Sequence, residues 1–156
     1  VIPYGVDLAP HSRTTLHVNH ILGPGRDVSV SVHADAPVIA ERPMYFLYAG
    51  AWSGGHCVTG VAAPATDWHF AEGTTREGFD EWLCLQNPQG EKVHAALTFM
   101  TGEGEVIPYG VDLAPHSRTT LHVNHILGPG RDVSVSVHAD APVIAERPLY
   151  FNYPTH

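Results

Sequence analysis

Twelve histidines, two cysteines and sixteen acidic residues are the groups through which this 156-residue chain could carry chemistry. The densest pattern is His17-Val18-Asn19-His20, which recurs as His122-Val123-Asn124-His125, with His11 and His116 upstream. On a strand, residues three apart point to opposite faces, so this spacing brings two imidazoles to one ion only if the chain turns at the asparagine. The expectation is therefore of surface histidines bonded to neighbouring backbone or to water, and of no metal. Ser53, His56 and Asp67 supply the residue types of a nucleophilic triad, but there is no Gly-x-Ser-x-Gly elbow and Ser53 lies in a glycine-rich connection. The aspartates Asp7, Asp27 and Asp35, with counterparts Asp112, Asp132 and Asp140, fall at or near turns without EF-hand spacing. Such residues commonly bond their own backbone. No catalytic residue, cofactor or enzymatic activity is expected.

Cys57 and Cys84 match no CxxC pattern and are too few for a disulfide scaffold. If the protein is exported, a bridge between them is expected, and closing a loop of that size stabilises by roughly 3 to 4 kcal/mol; otherwise they are two small buried apolar residues. Trp52, Trp68 and Trp82, with Phe46, Tyr45 and Tyr48, have the chemistry of a sugar-stacking platform. In a small β domain such rings more often serve as core or as contacts between domains. Trp52, in the connection Ala49–Gly55, reads as a packing residue between units.

The elements that hold these residues follow from composition and period. Eight Lys and Arg against sixteen Asp and Glu give a net charge of -8, the reverse of what a phosphate backbone recruits, so nucleic acid is not an expected partner. No run approaches the roughly 18 apolar residues of a membrane-spanning helix, and membrane insertion is not expected. Apolar residues at 44% support a core, while 15 Gly and 13 Pro favour short strands and many turns. Val28, Val30 and Val32 alternate with Ser29, Ser31 and His33; Leu16 and Val18 alternate with His17 and Asn19; Val93, Ala95, Leu97 and Phe99 alternate with polar or small residues. Period two marks strands, and residues 81–86 form another candidate. Turn chemistry separates these runs at 87–90, 101–104, 114–117, 128–130 and 139–142. The segment 74–82 is too short and glycine-flanked for a stable helix. Pro37 and Pro43 place the strand between them at a sheet edge or bulge. Short alternating runs with frequent turns predict an all-β antiparallel sandwich.

A long internal repeat governs the organisation. Residues 1–48 recur as residues 106–153, an offset of 105, with 46 of 48 positions the same. The two differences are Met44 against Leu149 and Leu47 against Asn152. Residues 54–105 show no such likeness, so the chain reads as second half, first half, second half of a unit of period 105. The expected boundaries are 1–51 for a second half completed by a neighbouring unit, and 54–153 for one complete unit.

Within the first half stand Trp68-His69-Phe70-Ala71-Glu72-Gly73, then Gly78-Phe79-Asp80-Glu81-Trp82-Leu83, then Leu85-Gln86-Asn87-Pro88; the second half closes on Glu146-Arg147-Pro148-Leu149-Tyr150-Phe151. Together these motifs resemble the tandem immunoglobulin-like repeat domains, of unassigned function, of large secreted bacterial surface proteins, and the likeness covers the whole chain. It implies an immunoglobulin-like fold and an extracellular or cell-surface setting, and brings no catalytic residue with it. The two copies here are far more alike than neighbouring repeats usually are.

A half unit has apolar strand faces that need a covering layer. Uncovered, each aliphatic side chain forfeits about 1.5 kcal/mol or more. Cover can come from a preceding unit of an array, from strand exchange between molecules, or from two orphan halves pairing face to face. Each option ends in an assembly of the chain with copies of itself or with adjacent units, with Met44, Leu47, Trp52, Leu149 and Asn152 as contact residues between units. The function expected is that of a structural repeat unit in an extracellular fibre, stalk or surface filament. The alternative is a module binding cell-wall polysaccharide or another carbohydrate, with an array supplying avidity.

Overall fold

In the computed structural model, which describes residues 1–152, the alternating runs of the middle and trailing parts form strands and those of the leading part do not. The order is α1 (Val18–Leu22), β1 (Glu41–Tyr48), β2 (Trp52–Thr59), β3 (Ala65–Phe70), β4 (Phe79–Asn87), β5 (Val93–Thr101), β6 (Val106–Leu113), β7 (Ser117–His122), α2 (Val123–Leu127), β8 (Val133–Glu146) and β9 (Leu149–Phe151). Every strand pairing is antiparallel and the fold is all-β apart from the two helical turns. Tyr153, the expected end of the unit, lies outside the described residues.

Two ladders share one strand. In the first, β6 pairs with β5, β5 with the leading part of β8, and that part of β8 with β3. In the second, β4 pairs along one edge with β7 and along the other with the end of β8 and with β9. The turn expected at 139–142 is absent: β8 runs through it, and its register against β3 slips between His138 and Val143. Pro142, which has no N–H for a ladder, sits exposed at this slip, where the strand leaves one ladder for the other.

The inward faces of both ladders fill a single core. Leu83 and Leu85 come from β4; Val93, Ala95, Leu97 and Phe99 from β5; Val133, Val135 and Val137 from β8. The period-two pattern of the sequence is thus realised as burial in β5, where inward residues are buried and most outward ones exposed. Candidate strands 81–86 and 93–99 lie within β4 and β5. The segment 74–82 holds no helix, its last four residues opening β4.

The strand expected from the alternation of Leu16 and Val18 with His17 and Asn19 is corrected in both copies. After His122, which is extended, the chain makes one helical turn and leaves it at Gly128, whose φ of 78° suits glycine. The same turn forms at Val18–Leu22, ending at Gly23 with φ 82°.

The chain divides into two units, Val1–Val30 and Ser31 onward. The division falls inside the leading copy because its last strand, β1, pairs with β2 over its whole length. The hairpin turns at Ala49 and Gly50, both at positive φ (49° and 71°), with the Ala51 N–H donating to the Tyr48 carbonyl at 3.0 Å. That is the left-handed pair of a type I′ turn, whose twist matches the flanking strands. The strand expected between Pro37 and Pro43 is corrected: residues 38–40 form no strand, and β1 begins at Glu41 and runs through Pro43, with β2 as its strand partner among the described residues.

Candidate functional site

Identical sequence meets two fates in the two copies. Leu113, Val135 and Val137 are 0%, 2% and 1% exposed, whereas Leu8, Val30 and Val32, the same residues one period earlier, are 48%, 57% and 59% exposed. Residues 1–40 contain no strand. What depends on local sequence is nevertheless the same in both. His11 and His116 both take a left-handed conformation (φ 55° and 50°), and Ser12 and Ser117 donate to the carbonyls of Ala9 and Ala114 at 2.6 and 2.7 Å. The helical turn sets His17 edge-on to His20 at 3.9 Å and His122 edge-on to His125 at 4.0 Å. The paired histidines are therefore brought together by a turn at the asparagine, yet no cluster of three metal-ligating side chains exists among the described residues.

The trailing copy is held by polar contacts as well as by packing. Thr75 donates its hydroxyl to the Gly128 carbonyl (2.8 Å) and accepts from the Arg131 N–H (3.1 Å). Asn87 donates through Nδ2 to the carbonyls of Leu113 and Ala114, each at 3.1 Å. Asn124, in α2, accepts from the Glu81 N–H (2.9 Å) and donates to the Phe79 carbonyl (2.8 Å). Arg76 pairs with Asp132 and Arg131 with Glu105; Lys92 pairs with Asp112 at 2.9 Å.

The second focus is where the hairpin meets β8 and β9, which brings the closing segments of the two copies against each other. Arg42 pairs with Glu146 at 3.2 Å. Tyr48 stacks on Tyr150 with ring centroids 4.3 Å apart, and Phe46 meets Tyr150 edge-on at 5.0 Å. Trp82 donates its indole N–H to the Tyr48 hydroxyl (3.1 Å) while its ring stacks on His122, which in turn bonds Asp80 at 3.1 Å. Burial raises the Tyr48 and Tyr150 phenols above their ordinary value. Beside these rings a shallow cleft of about 250 Å³ is lined by Phe46, Trp52, His56, Leu149 and Tyr150 among others.

Of the residues expected between units, Trp52 and Leu149 line this cleft and Met44 is half-buried in β1. Leu47 and Asn152 are exposed, so the one polar difference between the copies is at the surface. The tryptophans do not make a common platform. Trp68 is turned onto the main chain, donating to the carbonyls of Ala65 and Val143 (3.2 and 3.1 Å); Trp82 covers His122; Trp52 leans on Tyr48 at 33°. Cys57 and Cys84 are free thiols. Cys57 faces Pro43 in the hairpin, whereas Cys84 lies between Thr120 and Glu146 in the second ladder, so the expected bridge is not formed.

Sequence reading passed over Glu81, which shares the inward face of β4 with Leu83 and Leu85 and is buried with them. Neither carboxylate oxygen makes a well-formed hydrogen bond. Desolvation pushes its pKa up to about 7, against the opposing pull of the Arg147 charge and the Thr74 main chain. A side chain at Gly73 would run into that carboxylate, which accounts for glycine there. The signal was available in the period-two register, which puts residue 81 on the core face.

What the fold defines, then, is an all-β domain of two antiparallel ladders around one core, preceded by a copy of half its sequence whose first forty residues form no strand. No protein-family model and no curated protein matches the chain. Solved structures share the fold: Anabaena sensory rhodopsin transducer (TM-score 0.50, 18% identity, covering 57% of this chain and 100% of that one) and the crystal structure of Thermotoga maritima 1070 (TM-score 0.51, 17% identity, 58% and 94%). The matched share of this chain is about the size of the segment from β3 to β9.

Proposed function

We propose that this protein is a structural repeat unit, an immunoglobulin-like β-sandwich in a tandem of period 105, whose units complete one another in an extracellular fibre, stalk or surface filament. The observation that carries the repeat-unit reading is the contrast between the copies: the same aliphatic residues are core in one and bare in the other. At about 1.5 kcal/mol or more for each such side chain, a segment of this composition gains several kcal/mol from a partner. The contact of Arg42, Phe46 and Tyr48 with Glu146 and Tyr150 supports it from a second direction, since it joins the ends of consecutive copies. The extracellular setting rests on the motif resemblance.

The test is an array. Chains carrying two, three and four copies of residues 49–153, one full period each, in tandem are expected to lengthen by a constant increment per copy in small-angle scattering and electron microscopy. A maximum dimension that stays constant as units are added would refute the fibre reading. A carbohydrate-binding role has one observation in its favour, the aromatic cleft beside the hairpin, and predicts quenching of tryptophan fluorescence by wall polysaccharide that Trp52→Ala abolishes.

A further inference from the structure

The repeat-unit reading leaves open what covers residues 1–48, and the structure narrows it to one kind of partner. The trailing copy shows what this sequence binds: the strands β3, β4 and β5 of the first half, through the register and polar contacts described above. Strand exchange with a second copy does not meet the need. Each chain has, among its described residues, one set of β3–β5 strands and two segments that fit it. Strand exchange between copies of residues 1–152 therefore leaves one segment per copy without β3–β5 strands to complete it.

We infer that residues 1–48 are a docking segment for a first-half segment with the sequence character of residues 65–101, supplied by another unit that does not already hold a second half of its own. The inference rests on the repeat-unit reading and specifies its partner. Recognition is defined atom by atom by moving the trailing contacts back one period. An equivalent of Thr75 reaches the Gly23 carbonyl and the Arg26 N–H, one of Asn87 bonds the carbonyls of Leu8 and Ala9, and one of Lys92 pairs with Asp7. The docking segment is partly prepared. Its turn at residues 9–12 and its helical turn at Val18–Leu22 already have the conformations seen in the complemented copy. Docking thus needs only the strands to form, which lowers the entropy lost on binding.

The experiment adds the missing piece to the full chain by placing residues 54–105 ahead of Val1, which reproduces the natural Glu105–Val106 junction. Hydrogen exchange then reads both copies in one molecule. The amides of residues 28–32 are expected to slow by about a thousandfold or more relative to the unextended chain, approaching those of residues 133–137. Val30→Asp in the extended chain is expected to abolish that gain while residues 133–137 stay protected. Unchanged exchange at 28–32, or protection that survives Val30→Asp, overturns the proposal. So does protection gained by the unextended chain on concentration alone, which would make a second copy the occupant. The array measurement stands apart from this one, because tandem complete units hold no unpartnered second half. Arrays that do not lengthen, beside protected residues 28–32 in the extended chain, would refute the fibre and leave the docking partner intact, and lengthening arrays beside unprotected residues 28–32 would do the reverse.

Discussion

The internal repeat permits a comparison in which one substitution is made twice in the same sequence context. Leu113→Ala removes a side chain with no exposure from the core between the ladders, whereas Leu8→Ala removes its counterpart from an open segment. A fully buried Leu→Ala change costs about 2 to 5 kcal/mol through lost transfer energy and the cavity left behind. An exposed substitution away from special features stays within about 0.5 kcal/mol. With a urea m-value of about 1.5 kcal/mol/M for a domain this small, Leu113→Ala is expected to lower the midpoint by roughly 2 M and Leu8→Ala to leave it in place. Urea titrations followed by tryptophan fluorescence read both, since Trp68 and Trp82 sit in the folded ladders. The double variant is expected to match Leu113→Ala alone. A Leu8→Ala cost above about 1 kcal/mol, or a double variant that loses much more than the sum, would show that the leading copy takes turns in the core and would refute the assignment of roles.

Other outcomes follow from the polar groups. Folding binds a proton at Glu81, whose folded pKa of about 7 exceeds its ordinary 4.5; stability is therefore fully present below pH 4.5 and falls as pH rises to 7, by up to about 3 kcal/mol. Glu81→Gln is expected to flatten that fall in thermal unfolding across the range. Asn124→Ala strips partners from the Glu81 N–H and the Phe79 carbonyl and is expected to cost about 2 kcal/mol, against no measurable change for Asn19→Ala. Tyr48→Ala removes the acceptor of the Trp82 indole and a stacked ring, and is expected to cost about 1 to 2 kcal/mol, with hydrogen exchange accelerated across Glu41–Thr59.

Much of the fold was legible from residues 54–152. Val93 to Phe99 alternate cleanly because β5 lies centrally with one face in the core, and residues 81–86 do the same in β4. The helical turn at Val123 was not legible, because Leu121-His122-Val123-Asn124 alternates as a strand does; the turn forms in both copies from local sequence closed by Gly23 or Gly128, and the bonds of Asn124 to β4 fix its place in the domain. Pro142 read as a turn because proline is compatible with both a turn and a slip in register. The leading copy marks the limit of local reading: its sequence is that of Val133–Glu146 and its neighbours, yet the strands form in the copy paired with β3 to β5 and not over residues 1–40. Of the candidate site, the repeat could be read directly; that Trp52 and Leu149 line one cleft depends on the hairpin, and the buried carboxylate required following the inward register through a charged residue.

The long strand β8 has a mechanical corollary. Since Val133–Ala139 belongs to one ladder and Ile144–Glu146 to the other, fraying on either side of the core must pull on a segment anchored in the opposite side. The domain should accordingly give way in one step under heat or tension, and a run of such units would act as a series of latches that open singly, each taking up strain before the next yields.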